Sequence, residues 1–214
     1  MNKKLFWKIL DPERKTVFSR LNKVLGHDYY LAGGTALALQ IGHRESLDFD
    51  LFRDKDITFA VKRKLLGGLR QYHLTTLVDT ADELTIVLDG NIKITLLNYY
   101  WRPLFPLVKT TGNLPLLSIK DIAATKAYAL GRRGNYRDYF DLYVMVKNNF
   151  LALDQITDIA KKKYGEVFSE RMFLEQLAFT GDIVVDEKLR YLSEQPAAPK
   201  TIAAFFRNKI KEAG

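Results

Sequence analysis

Tyr29–Phe52 reads YYLAGGTALALQIGHRESLDFDLF. Tyr29, Tyr30 and Leu31 are large and apolar, which predicts a short buried strand ended by Gly33-Gly34. Thr35 is placed to N-cap a helix over Ala36–Ile41, and Gly42 closes it. Leu47, Phe49 and Leu51 then alternate with Asp48, Asp50 and Phe52, the period of a half-buried strand with both carboxylates on one face.

Two pieces of chemistry meet in these residues. Glycines let a backbone approach a ligand closely, and the unpaired N–H groups at a helix start attract phosphate. An ordinary strand-to-helix turn uses the same residues, so Gly33-Gly34-Thr35 has two readings. Carboxylates two apart on a strand repel unless a cation relieves them. Mg²⁺ does so with one or two protein carboxylates plus substrate phosphates, and an Arg or Lys across the strand would also do so.

Working outward, Asp11 and Pro12 are a cap and first-turn pair for a helix over residues 11–25. Thr58–Tyr72 reads as a basic helix interrupted by Gly67-Gly68. Three strands follow, His73–Asp79, Glu83–Leu88 and Ile92–Leu97, the last two joined by the hairpin signal Asp89-Gly90. Residues 101–117 hold Pro103, Pro106 and Pro115 and read as an irregular connection. Beyond them the pattern is helical. Ser118-x-x-Asp121 starts a helix stopped near Gly131 and Gly134, and further helices are expected at Asn135–Val146, Leu153–Tyr164, Glu170–Leu177 and Thr201–Lys211. The predicted fold class is α+β: a mixed β-sheet with flanking helices over residues 1–110, then a helical bundle over 111–214.

Composition narrows the function. The 214 residues are 47% hydrophobic and 27% charged, which predicts a packed core. No apolar run approaches the ~20 residues of a membrane span, and no membrane association is expected. There is no cysteine, and His27, His43 and His73 lack the spacing of a zinc site. That fits a cytoplasmic protein. A net charge of +8 suits a polyanionic partner, nucleic acid or nucleotide, and equally suits simple solubility.

Gly-Gly-Thr followed by Asp-x-Asp on the next strand resembles the nucleotidyltransferase superfamily signature. The words Ala32–Ala38 (AGGTALA) and Gly42–Phe52 (GHRESLDFDLF) are similar, more narrowly, to the AbiEii-type nucleotidyltransferase toxins of type IV toxin–antitoxin and abortive-infection systems. Ser118–Ala127 (SIKDIAATKA) and Arg133–Tyr143 (RGNYRDYFDLY) resemble that family's later Lys and Arg-Asp motifs.

The resemblance implies a nucleotidyltransferase-like sheet and an Mg²⁺-dependent attack on the α-phosphate of an NTP. Asp48 and Asp50 would hold metal and act catalytically. Gly33, Gly34, Thr35 and Arg44 would contact nucleotide, with Arg137 and Asp141 as supporting binding groups. Lys126 would neutralise phosphate, and Asp138 would be the general base. The helical half would complete the active-site cleft. The implied acceptor is RNA, notably a tRNA 3′ end, held by basic helices including Lys161–Lys163, and the implied partner is a cognate antitoxin.

One departure stands out: Ile92–Leu97 offers Lys93 and Thr95 on its polar face where many nucleotidyltransferases place a third acid. Tyr99, Tyr100 and Trp101 are candidates for base stacking or for core. Two rival readings share these residues: transfer to a protein or small molecule, and a non-catalytic nucleotide-binding protein.

Overall fold

A computed structural model of the chain describes residues 4–130, 132, 134–181, 183, 185, 190–192 and 196–213. Gly131 and Arg133, named above in a helix stop and a motif, lie outside the described residues. Two compact units are present, residues 1–118 and 119–214.

The first unit is a five-stranded mixed sheet in the order β1-β2-β5-β4-β3. The strands are β1 (Tyr30–Leu31), β2 (Phe49–Arg53), β3 (Leu74–Asp79), β4 (Glu83–Leu88) and β5 (Ile92–Asn98). β1 and β2 run antiparallel, β2 and β5 parallel, and β5, β4 and β3 form an antiparallel meander. Asp89 and Gly90 both take positive φ, 47° and 69°, in the three-residue turn between the paired Leu88 and Ile92. One face of the sheet carries Phe49, Leu51, Leu84, Ile86, Ile94 and Leu96, all buried. Helix α1 (Pro12–Leu25) supplies Phe18 against Phe49, with ring centroids 6.4 Å apart. Asp11 caps α1 as expected, accepting from the Arg14 amide at 2.8 Å.

Several boundaries differ from expectation, two of them at helices of the sheet unit. Helix α2 spans Gly33–Ile41 with Ala32 at its N-cap. Thr35 is therefore inside the first turn and its side chain does not cap. Helix α3 (Phe59–Gly68) ends at the Gly-Gly pair rather than running to Tyr72. The connecting segment also belongs to the sheet unit. Leu31 donates to the Pro115 carbonyl at 2.9 Å and accepts from Leu117 at 2.8 Å, while Val108 and Leu116 pair with each other. These bonds satisfy the outer edge of β1 and place the division after Ser118 rather than after residue 110.

The second unit is helical: α4 (Ile119–Leu130), α5 (Tyr136–Lys147), α6 (Leu153–Tyr164), α7 (Glu170–Ala178) and α8 (Pro199–Ala213). Asn135 caps α5 through the Arg137 amide, and Ser169 caps α7 through Met172. The face between α4 and α6 is not purely apolar. Lys163 Nζ lies 2.8 Å from Asp121 Oδ1, with both side chains at 1% exposure or less. Asp121 thus meets a cation from α6 rather than serving only a helix start.

Removing one partner of such a buried pair costs about 3–5 kcal/mol, because the other charge stays desolvated. Lys163→Met is expected to lower unfolding stability by about 3 kcal/mol in urea titrations. The double variant with Asp121→Leu is expected to recover much of that loss. A single-variant loss below about 1 kcal/mol would contradict this account of the helical core.

Candidate functional site

In the first unit the site is built around the start of α2 and the start of β2. The Gly33 backbone has φ +62°, and a Cβ there would overlap Asp50 Oδ2. A Cβ on Gly34 would stand 2.5 Å from Arg44 Nη2. Each glycine is therefore needed for a different reason. Gly33 admits the Asp50 carboxylate to the helix start, and Gly34 admits the Arg44 guanidinium.

The loop before β2 is held from three directions. The Thr35 hydroxyl donates to the Asp48 carbonyl and is hydrogen-bonded to Ser46 Oγ at 2.7 Å. Arg14 of α1, only 4% exposed, sends Nε to the Leu47 carbonyl at 3.1 Å and Nη2 to Asn91 at 3.2 Å. Its remaining nitrogen pairs with Asp11. Burial raises the Asp11 carboxyl, but bonds from the Arg14 amide and guanidinium outweigh burial and leave it below the usual carboxylate value. Arg44 is 2% exposed and donates to the Glu45 carbonyl at 2.9 Å. It braces the loop from within. Thr35, at 1% exposure, does the same.

Asp48 immediately precedes β2, and Asp50 lies in it. Lys93 Nζ is 3.7 Å from Asp48 Oδ2, so the polar face of β5 brings a cation to this carboxylate. Asp50 is in register with Thr95 on the neighbouring strand. The donors are hard oxygens, the attraction for positive charge is visible in Lys93, and the missing Cβ of Gly33 lets the Asp50 carboxylate lie at the helix start. That set fits Mg²⁺ completed by substrate oxygens. No group of three or more His, Cys, Asp or Glu poised for a metal occurs among the described residues.

Tyr29, before β1, is buried beneath the Arg53 guanidinium, which lies 4.8 Å from its ring centre. Burial pushes its phenol up to about 12 against the opposing pull of Arg53. Tyr99 stacks on Phe52 at 4.7 Å, and Trp101 packs on Tyr99, both half-buried. Tyr100 alone of the three is strongly exposed, at 82%.

In the second unit, Lys126 Nζ lies 2.7 Å from both Asp138 Oδ1 and Asp141 Oδ2. Lys126 is 6% exposed, Asp138 6% and Asp141 0%. The two acids, three apart on α5, share one face, and α4 presents the lysine to it. The triad carries a formal charge of −1. It is neither a solvated lysine nor a pair of dipole-stabilising surface acids. Arg137 is half-buried beside them in the first turn of α5. The Lys161–Lys163 run is broken up: Lys163 is buried on Asp121, and Lys161 pairs with Glu170 at 2.7 Å.

The family model described as "Nucleotidyl transferase AbiEii toxin, Type IV TA system" matches residues 17–209. The chain belongs to the AbiEii nucleotidyltransferase toxin family. An Aquifex aeolicus (strain VF5) relative, the uncharacterised protein aq_aa25, is 30% identical over 216 residues, covering 96% of this chain and 97% of its own. Among solved structures, the Mycobacterium tuberculosis H37Rv nucleotidyltransferase toxin MenT4 matches with TM-score 0.59 at 16% identity, over 91% of this chain and 80% of its own. JHP933 from Helicobacter pylori matches with TM-score 0.51 at 16% identity, over 98% and 96%. The antibiotic-resistance factor ANT(2'')-Ia matches with TM-score 0.53 at 10% identity, over 72% and 92%. These neighbours share the fold. Membership of the family makes the chain a nucleotidyltransferase, and a type IV toxin family implies an NTP substrate and an antitoxin partner. No described helix is long and apolar enough to cross a membrane.

Sequence reading missed Arg14, because its partners lie 33 and 77 residues away. Arg14 is the third residue of α1, and only its pair with Asp11 is local.

Gly33→Ala tests the close approach at the heart of the first unit. The fold is expected to survive by circular dichroism, with a stability loss of about 1–3 kcal/mol from the strained φ. Displacement of Asp50 is expected to weaken Mn²⁺ or NTP binding at least about 10-fold in titration calorimetry. Unchanged binding would show that Asp50 does not depend on this turn.

Proposed function

We propose that the enzyme transfers a nucleotide from an NTP to a ribose hydroxyl of RNA, with the tRNA 3′ end as the leading acceptor, in an Mg²⁺-dependent reaction. The observation that supports this most is the meeting of Asp50 with the Gly33 turn, which sets a carboxylate beside the helix start that suits phosphate. Asp48 and Asp50 are the groups that would hold Mg²⁺, which when bound offsets negative charge at the reacting phosphate. The amides at the start of α2 take phosphate oxygens. Gly33 admits Asp50 and Gly34 admits Arg44, while Thr35 and Arg44 keep the loop in place.

Asp138 accepts the proton of the attacking hydroxyl, and Lys126 orients that carboxylate and offsets one of the two charges of the acid pair. Arg137 and Asp141 support them. The hydroxyl oxygen bonds to the α-phosphorus, the bond from the α-phosphorus to the bridging oxygen breaks, and pyrophosphate leaves. Net charge of +8 favours an RNA acceptor over a neutral one. Lys162 and the exposed cations of α8, rather than Lys161 and Lys163, are the basic groups left to hold it. A cytoplasmic location follows, because NTPs and RNA are both there. The growth-arresting activity is restrained by the cognate antitoxin.

The test is incubation of the enzyme with α-labelled NTPs, Mg²⁺ and total RNA. Label is expected in RNA, and Asp50→Asn and Asp138→Asn are each expected to lower transfer by about 10²-fold or more at unchanged folding. Label in protein or in a small molecule would replace the acceptor assignment. No transfer with any NTP would overturn the proposal.

A further inference from the structure

The strand that faces Asp50 has no acid, yet it is not inert. Asp50 of β2 is in register with Thr95 of β5, and Thr95 with Thr85 of β4. Residues in register on adjacent strands point to the same face, about 4.8 Å apart. Glu83 lies two residues before Thr85, hence on that face too. The four side chains form a row across three strands, on the face opposite the apolar core: Asp50, Thr95, Thr85, Glu83.

Hydrogen bonds give the row a direction. Thr85 Oγ1 lies 2.7 Å from Glu83 Oε1 and 3.3 Å from Thr95 Oγ1. A hydroxyl has one proton and an ionised carboxylate only accepts. Thr85 therefore donates to Glu83, and its oxygen is left to accept from Thr95. Having donated its proton to Thr85, Thr95 Oγ1 retains only lone pairs, on the strand next to Asp50. The Glu83 charge is thereby expressed two hydroxyls away, and mutual polarisation along the chain strengthens it. Thr85 is 6% exposed, so this link is shielded from competing water.

We infer that Thr95 Oγ1, polarised by Glu83 through Thr85, is the third oxygen donor toward the cation site of Asp48 and Asp50. It meets either the cation or a water bound to it, in place of the third acid absent from β5. Glu83 and Thr85 are positioning residues here. Lys93, on the same strand, balances the Asp48 side. The inference rests on the Mg²⁺-dependent reading above and adds three residues to it.

Mn²⁺ binding to the whole protein without nucleotide, followed by the loss of the free-ion paramagnetic resonance signal, tests it without relying on turnover. Glu83→Gln keeps an acceptor for Thr85 but removes the charge. Thr85→Val breaks the relay, and Thr95→Val removes the donor. Each is expected to weaken Mn²⁺ affinity about 10-fold, the scale of outer-shell changes at metal sites. Thr95→Ser, which keeps the hydroxyl, is expected to bind as wild type. Circular dichroism checks each fold, and the Ser variant keeps the test open if Thr95→Val fails to fold. Wild-type affinity in Glu83→Gln and Thr85→Val, alongside lost binding in Asp50→Asn, would overturn the relay and leave the metal reading standing. Wild-type affinity in Asp50→Asn as well would overturn both.

Discussion

The structure of the first unit depends on a missing atom. Because Gly33 has no Cβ and takes a left-handed φ of +62°, the Asp50 carboxylate can lie against the first turn of α2. Neighbouring features follow from that approach. Gly34 must also lack a side chain, because the Arg44 guanidinium fills the space beneath it. The loop between α2 and β2 must then be short and fixed, and Thr35, Ser46 and Arg14 tie it down at the carbonyls of Asp48 and Leu47. A site of this kind is stiff because its supporting groups are buried and hydrogen-bonded, not because any single bond is strong.

The second unit solves a different problem. Two ion arrangements sit inside a helical core, Asp121 with Lys163 and the Lys126–Asp138–Asp141 triad. Replacing buried ion pairs by apolar side chains often stabilises a protein, so stability alone is a poor reason for keeping them. For the triad, the base role proposed for Asp138 gives a better reason. A carboxylate held at 2.7 Å by a fixed ammonium is positioned before any substrate arrives, which limits the reorganisation left for the reaction. For Asp121 and Lys163 the structure shows only a strut between α4 and α6.

Much of this was legible in the residues. Asp11-Pro12, the Asp89-Gly90 hairpin, the three meander strands and the helix at Leu153–Tyr164 each depend on local rules, and each stands where local rules put it. The α+β class and the family follow from motif order. What sequence could not show is long-range pairing. Thr35 looks like a helix cap, but its hydroxyl is used by a carbonyl thirteen residues later, so the helix begins two residues before it. Lys163 looks like one of three solvated lysines until Asp121 is found 42 residues away. Glu83 looks like an acid at a strand end, and only the register of β4 on β5 puts it in line with Asp50.

The central claim is that this arrangement moves a nucleotidyl group rather than a phosphoryl group or a phosphate to water. Parallel reactions with α-labelled and γ-labelled NTP, in the presence of RNA and Mg²⁺, separate those chemistries directly. The account predicts that the α label becomes acceptor-bound while the γ label appears entirely as pyrophosphate, in equal amounts. A γ label carried to the acceptor, or released as orthophosphate without acceptor labelling, would contradict it.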